Sequence, residues 1–311
     1  MASNVTSSKP LNVPNPFEGI DFSQLERSLR RPRTFLDFAG NVIVGGMTML
    51  ALIPLFSVVW MLLWRGGQKL SLDLFTQLPP APLESGGGFG NAIIGTLLMV
   101  GLAILMSVPV GLFTAIYLAQ ARESRVAEVV RFSAKVLTGF PSILAGVFAY
   151  GAIVLATGGY SAIAGAVALS ILMLPTIILT AEDAIRMVPT RMKEAAVGMG
   201  ATNTQVVLSV LLPTAFPGIL TGIMLAVARA AGETAPLLFT ALFSNYWLWS
   251  HGGDQLMQPT ASLAVLIYNF AVMPFRNQVE IAWAAALVLV LLVLAANLIG
   301  QSLSNRQVHQ G

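Results

Sequence analysis

The 311-residue chain contains no cysteine. That excludes disulfides, Cys-ligated zinc and iron–sulfur clusters. It has two histidines, His251 and His309, too far apart to seed a metal cluster. Charge is scarce as well. Asp, Glu, Lys and Arg make up 10% of the residues, against about 25% in a soluble domain. No Gly-x-x-x-x-Gly-Lys-Ser/Thr loop occurs, and no paired carboxylates or Ser/His/Asp set occupy a plausible pocket. The chain is therefore expected neither to hydrolyse ATP nor to need a cofactor.

Apolar residues take the place of the missing charge. They form 56% of the chain, and the mean hydropathy is +0.77. A folded surface is already more than half apolar, so a soluble globule of this length has nowhere to put the remainder. The apolar residues are also clustered. Gly40–Trp64, Ser85–Ala121, Val136–Ala181, Pro213–Phe243 and Ile281–Ser304 are long runs, broken by charge only at Arg229 and Glu233. A span needs roughly 20 such residues. Val136–Ala181 is 46 residues long and holds two spans, with a turn at Thr157-Gly158-Gly159-Tyr160. The expectation is an all-α membrane protein with six transmembrane helices. The first run starts too far into the chain and is too long for a signal peptide.

The formal charge of +3 and the pI near 9.4 suggest nucleic acid until the charges are placed. Lys9, Arg27, Arg30, Arg31, Arg33, Arg122, Arg125, Arg131, Lys135, Arg186, Arg191, Lys193 and Arg306 fall on one side of the membrane. Only Arg65, Lys69 and Arg276 fall on the other. The positive-inside rule puts both termini in the cytoplasm and makes the basic pI a matter of topology. No nucleic-acid partner is expected. Residues 1–34 read as a flexible cytoplasmic arm. Residues 65–90 and 244–280 read as outer loops, with Tyr246, Trp247, Trp249 and Tyr268 anchoring helix ends at the interface. Gly86–Gly90 reads as a flexible entry to the second span.

Three segments carry possible chemistry. The connection between the fourth and fifth spans, 182–213, is too long for a turn. Pro189 suits a helix start and Gly200 a helix exit. A second short helix is expected at Thr204–Leu211, with Pro213 opening the fifth span. The exposed face would present Glu194, Ala195, Ala196 and Gly200 to another protein, or would simply be a surface helix. In the fifth span, Arg229 and Glu233 stand four residues apart and share a face with Gly218, Gly222 and Ala226. Ionisable residues in a span are functional candidates by default, and guanidinium suits tetrahedral oxyanions. The bland alternative is a pair that locks two helices. Gly232 and Pro236 weaken the helix nearby. In the third span Pro141 withholds a helical donor, and Ser142 is placed either to repair the gap or to meet substrate.

The spacing Glu194-Ala195-Ala196, three residues, Gly200, nine residues, Val210-x-Leu212-Pro213 is similar to the signature of ABC-importer permeases, where Ile usually takes the place of Val210. Arg229-Ala230-Ala231-Gly232-Glu233-Thr234-Ala235-Pro236 resembles the Arg-Ala-x-Gly-Glu-Thr-Ala-Pro stretch of phosphate permeases. Gly139-Phe140-Pro141-Ser142-Ile143 and Gly87–Thr96 resemble further segments of the same proteins. Over most of residues 85–300 the chain thus resembles the PstA-like membrane subunits of bacterial phosphate ABC importers. One departure is Leu179, where many relatives have Arg ahead of Thr-x-Glu.

The resemblance implies a type I ABC importer permease fold. A core at 91–303 would follow a first helix at 35–65 that wraps outside, with a tail at 304–311. It implies a location in the bacterial inner membrane and alternating-access transport of phosphate. Glu194, Ala195, Ala196, Gly200, Val210, Leu212 and Pro213 would form the coupling segment that docks an ATPase. Arg229, Glu233 and Ser142 would line the substrate pathway. Implied partners are a second, homologous permease (PstC-like), two ATPase subunits (PstB-like) and an outer phosphate-binding protein (PstS-like). Two alternatives stay open: a permease for sulfate or another oxyanion, and a non-transporting membrane scaffold or sensor of phosphate status.

Overall fold

The computed structural model describes residues 32–121, 123–250, 252 and 254–308, with side chains between 36 and 302. The N-terminal arm up to residue 31, Arg122, His251, Gly253 and residues 309–311 lie outside the described residues. All regular structure among the described residues is helical. The chain divides into two units at Val59. The described part of the first is the beginning of α1 (Leu36–Lys69), an apolar run long enough to cross hydrocarbon.

The second unit contains the end of α1, then α2 (Gly90–Gln120), α3 (Arg125–Thr138), α4 (Ser142–Thr157) and α5 (Ala162–Arg186). There follow α6 (Thr190–Gly198), α7 (Asn203–Ala231), α8 (Ala235–Thr240), α9 (Leu263–Ala271) and α10 (Arg276–Val308). Helices α1, α2, α5, α7 and α10 are each long and apolar enough to span. The expected six is reached by counting α3 and α4 as one span, bent by 107°.

The bend falls at Gly139-Phe140-Pro141. Pro141 has no N–H, so the Leu137 carbonyl loses its helical donor. The Phe140 N–H takes over that carbonyl at 3.2 Å, and the Pro141 carbonyl accepts from Leu144 at 3.0 Å. The Ser142 hydroxyl was one candidate for this repair, but the backbone makes it, and Ser142 instead opens α4 as its first residue. At the other end of α4 the turn at Thr157–Tyr160 forms as expected. Gly158 is left-handed there, and the Ser161 hydroxyl caps α5 by accepting from Ala164 N–H at 3.1 Å.

The fifth span differs in two ways. Thr204–Leu211 is not a separate helix, and Pro213 does not open the span. Helix α7 runs without a break from Asn203, absorbing Pro213 through a π-helical turn at Val207–Leu211. At its far end α7 stops at Ala231, and the chain restarts as the short α8. The segment 244–280 is not simply a loop. It contains α9, an apolar nine-residue helix whose Leu263, Val265 and Leu266 are buried. Nine residues are too few to span and enough to enter a core.

Interruptions of the backbone are repaired from neighbouring elements. Thr96 Oγ1 accepts from Leu263 N–H at 2.9 Å, and the Thr240 carbonyl accepts from Ser161 N–H at 2.9 Å. Asn91 donates to the Ser244 carbonyl at 2.8 Å. In the glycine stretch 86–90, Gly86 has open space around it, but Gly87, Gly88 and Gly90 are packed. A Cβ on Gly88 would lie 2.6 Å from the Leu74 carbonyl oxygen, and Phe89 beside it is fully buried.

Close approach sets the helix spacing. Gly111 meets Ile177 where α2 crosses α5, Gly218 meets Ala184, and Gly222 meets Thr180 where α7 crosses α5. Gly146 of α4 faces the Pro236 backbone of α8, where an added Cβ would come within 2.6 Å of its Cα. Gly101 has open space around it. Replacing Gly146 by Ala is expected to strain the α4–α8 contact by about 1–3 kcal/mol. Gly101→Ala should be silent. Thermal unfolding of the purified complexes checks this, with a clear drop expected for Gly146→Ala alone.

Candidate functional site

Two sites emerge, one at each end of α7. At the first, α5 ends and Pro189 turns the chain into α6. Helix α6 finishes in a Schellman-type closure. Gly200 N–H donates to the Val197 carbonyl at 2.9 Å, and Ala201 N–H donates to the Ala196 carbonyl at 3.0 Å. Gly200 holds φ at 87°, a left-handed position that only glycine adopts without strain. Thr202 and Gln205 then form a capping box that starts α7.

The signature residues divide by role. Ala196 is buried with Val188, Val206 and Leu211, and Val210 and Leu212 pack at the edge of the same cluster. Glu194, Ala195, Gly200 and Pro213 are exposed. Part of the motif thus fixes the loop to the ends of α2, α5 and α7. The rest is presented outward.

Beside this loop lies a group that sequence reasoning passed over. Glu182 is 2% exposed. Arg131 of α3 grips it with Nη2 at 2.8 Å and Nε at 3.0 Å from Oε1, and Arg186 of α5 adds Nη2 at 2.7 Å. Arg131 Nη2 also donates to the Leu118 carbonyl of α2 at 3.4 Å. One carboxylate therefore ties α2, α3 and α5 together next to α6. Glu182 follows a long charge-free run, which was a signal. Its partner in α3 lies 51 residues away and left no local pattern.

At the other end of α7, Arg229 and Glu233 do lie together, but loosely. Their single contact is 3.4 Å, with Arg229 42% and Glu233 16% exposed. Both belong to one helix end, so the pair locks no two helices. An i,i+4 pair this open is worth at most about 1 kcal/mol. The glycine stripe below it packs on α5 as far as the buried Ala226, and the two charges rise beyond that contact. Ser142 is half-buried at the start of α4. Gly146, one turn further along α4, touches α8, which begins two residues after Glu233. No hydrogen bond joins Ser142 to Arg229 or Glu233. Among the described residues, no group of three His, Asp or Glu side chains could hold a metal ion.

Comparison with known proteins gives this geometry a context. A family profile described as a binding-protein-dependent transport system inner membrane component matches residues 107–309. The chain is 38% identical over 262 residues to the phosphate transport system permease protein PstA of Yersinia pestis, covering 83% of this chain and 87% of that one. It is 40% identical over 263 residues to the protein of the same name from Haemophilus influenzae, covering 83% and 91%. The chain belongs to the PstA family of binding-protein-dependent inner membrane components.

Solved structures place this PstA-family permease within a known architecture. A chain of the bacterial alginate ABC transporter, solved with its alginate pentasaccharide-bound periplasmic protein, matches with a TM-score of 0.62 at 16% identity, covering 90% of this chain and 98% of that one. A chain of the inward-facing MetNI methionine ABC transporter matches at 0.55 and 20% identity, covering 70% and 93%. At such identities the likeness concerns the fold alone, that of a type I ABC importer permease. The chain is a multi-pass inner-membrane subunit and not the ATPase. An importer of this class works with an ATPase and a binding protein.

The Glu182 clamp generates a test. Removing one member of a buried ion pair costs about 3–5 kcal/mol, because the remaining charge stays buried without its partner. Glu182→Gln is expected to destabilise the permease by that order, and Arg131→Gln by less, since Arg186 still holds the carboxylate. The double variant Arg131→Gln/Glu182→Gln should fall short of the sum. A thermal-unfolding double-mutant cycle measures this coupling; strict additivity would contradict the clamp.

Proposed function

We propose that this permease carries inorganic phosphate across the bacterial cytoplasmic membrane, driven by ATP hydrolysis in a partner subunit. The observation that carries the reading is Arg229. Its guanidinium stands at the break between α7 and α8, held by one long contact and 42% exposed. Guanidinium donors match a tetrahedral oxyanion in pairs. Glu233 beside it would keep the site from binding the anion too tightly. The relatives, phosphate transport system permeases, suggest the substrate, and Ser142 at the start of α4 is a second pathway candidate.

The partners follow from the same reading: a second, homologous permease (PstC-like), two ATPases (PstB-like) and an external phosphate-binding protein (PstS-like). The basic connections put both termini and α6 in the cytoplasm. Glu194, Ala195 and Gly200 would there meet the ATPase. ATP-driven movement of α6 would pass through the buried Ala196 and the Glu182 clamp to α5 and α7, and so to Arg229. Alternating exposure of that end completes transport.

The deciding experiment is phosphate uptake at matched membrane levels. The Arg229–Glu233 pair contributes little stability, so its removal should leave folded, assembled complexes. Arg229→Gln and the double variant Arg229→Gln/Glu233→Gln should be equally inactive, and Arg229→Lys should be impaired because charge without the planar fork is insufficient. Recovery of uptake in the double variant would make Arg229 structural. Unchanged uptake in all of them would favour a scaffold or sensor, and sulfate uptake alone would favour another oxyanion.

The coupling segment has its own test. Gly200 has no atom within 4 Å of an added Cβ, so the Cβ of Gly200→Leu meets open space within this chain. It carries only left-handed strain of about 1–2 kcal/mol. Co-purification of the ATPase should nonetheless fall several-fold while the permease still inserts. Full co-purification together with full uptake would count against docking at α6.

A further inference from the structure

The end of the second unit opposite α6 contains a charged cleft that transport, as read above, does not use. It lies between the last turns of α1 and the first turns of α10. A π-helical turn at Leu62–Gly66 brings Gly66 against α10, where an added Cβ would sit 2.7 Å from the Trp283 carbonyl oxygen. Beside this contact is a cleft of about 700 Å³, lined by Trp64, Arg65, Lys69, Arg276, Glu280 and Trp283 among others.

Two of the three cations there pair with one carboxylate. Lys69 Nζ lies 2.8 Å from Glu280 Oε2, and Arg276 Nε lies 2.7 Å from Glu280 Oε1. Arg65 is held over the Trp283 ring, 5.4 Å from its centroid. Arg65, Lys69, Arg276 and Glu280 together leave two positive charges over, with Glu84 on the adjoining groove. An ammonium has three donors and a guanidinium five, so Glu280 leaves most of them unused. These are the three basic residues that stand against thirteen on the other side, and here they gather in one place.

The depth of the cleft is equally informative. Residues 40–64 of α1 and 281–302 of α10 carry no charge. The cations begin where both charge-free runs end, the level expected of lipid phosphates. Trp60 and Trp64 stack at 6.3 Å, and Trp283 lies on the facing helix, as interfacial aromatics do. Val290, Leu294 and Leu298 continue along α10 as an exposed apolar row.

We propose that this cleft binds the phosphate group of an anionic phospholipid headgroup in the leaflet opposite α6. Arg65, Lys69 and Arg276 hold the phosphate, the tryptophans flank the glycerol region, and the acyl chains lie along the α10 row. A zwitterionic headgroup is disfavoured because it brings a second ammonium to a site already cationic. Free phosphate shares the oxyanion chemistry but has no use for the apolar row.

The assembled complex in detergent is titrated with phosphatidylglycerol, with phosphatidylethanolamine and, separately, with inorganic phosphate. Native mass spectrometry reads bound lipid and tryptophan fluorescence reads the cleft. Phosphatidylglycerol should be retained in preference to phosphatidylethanolamine. Each neutralised cation should weaken it about fivefold, as expected for roughly one charge contact at a membrane surface. Arg276→Gln is the safest single variant, since Arg276 is 92% exposed and Lys69 still pairs with Glu280 without it. Arg65→Gln tests the second cation, and Lys69→Arg should retain the lipid. Equal retention of both lipids, or retention unaffected by Arg276→Gln and Arg65→Gln, overturns the proposal. So does saturable binding of inorganic phosphate alone at the same residues. Cross-linking of Arg276→Cys to another subunit would show that a protein partner fills the cleft, and would also overturn it.

Discussion

Hydrocarbon offers no hydrogen-bond partner to a peptide N–H or C=O, so every interruption in a spanning helix has to be repaired from within the protein. This chain interrupts its helices repeatedly: at Gly139–Pro141, at Gly232–Thr234 and between α8 and α9. Each break has identifiable donors and acceptors around it. Phe140 covers the carbonyl that Pro141 strands, Thr96 receives the first N–H of α9, and Asn91 reaches the carbonyls beyond α8. The short helices α4, α8 and α9 exist at this end because α2, α5 and α10 surround them with such partners.

The two charged groups in the bundle are built on opposite principles. Glu182 is withdrawn from solvent and held by two arginines, so its charge is spent on joining α2, α3 and α5. Arg229 keeps one long contact and stays open. Desolvation explains the difference. A buried carboxylate is tolerable only with paired, well-directed donors, whereas a half-exposed guanidinium retains the hydration and free donors that a passing ligand needs. Helix α7 connects the two ends, and its glycine stripe, packed on α5, makes it a rigid connection rather than a loose one.

Composition and charge placement determined most of the architecture: membrane spans, their approximate number, the turn at 157–160 and the outward presentation of Glu194 and Gly200. These are local or additive properties. An apolar run crosses hydrocarbon whatever surrounds it, and a glycine just past a helix end favours the left-handed exit wherever it occurs. The family resemblance was legible for the same reason, because its motifs are contiguous.

Tertiary structure decided what depended on pairing across the chain. Pro213 looked like a start, yet α7 continues through it, because packing of Val206, Leu211 and Ala215 on α5 outweighs one missing hydrogen bond. Pro141 looked like a kink and became a 107° bend, because α4 finds its partner in α8 rather than along the axis of α3. The Arg131–Glu182 clamp, the burial of α9 and the cation cleft at Glu280 join residues far apart in sequence. No local pattern marks such contacts, since each partner is an ordinary residue until the fold sets it beside the other.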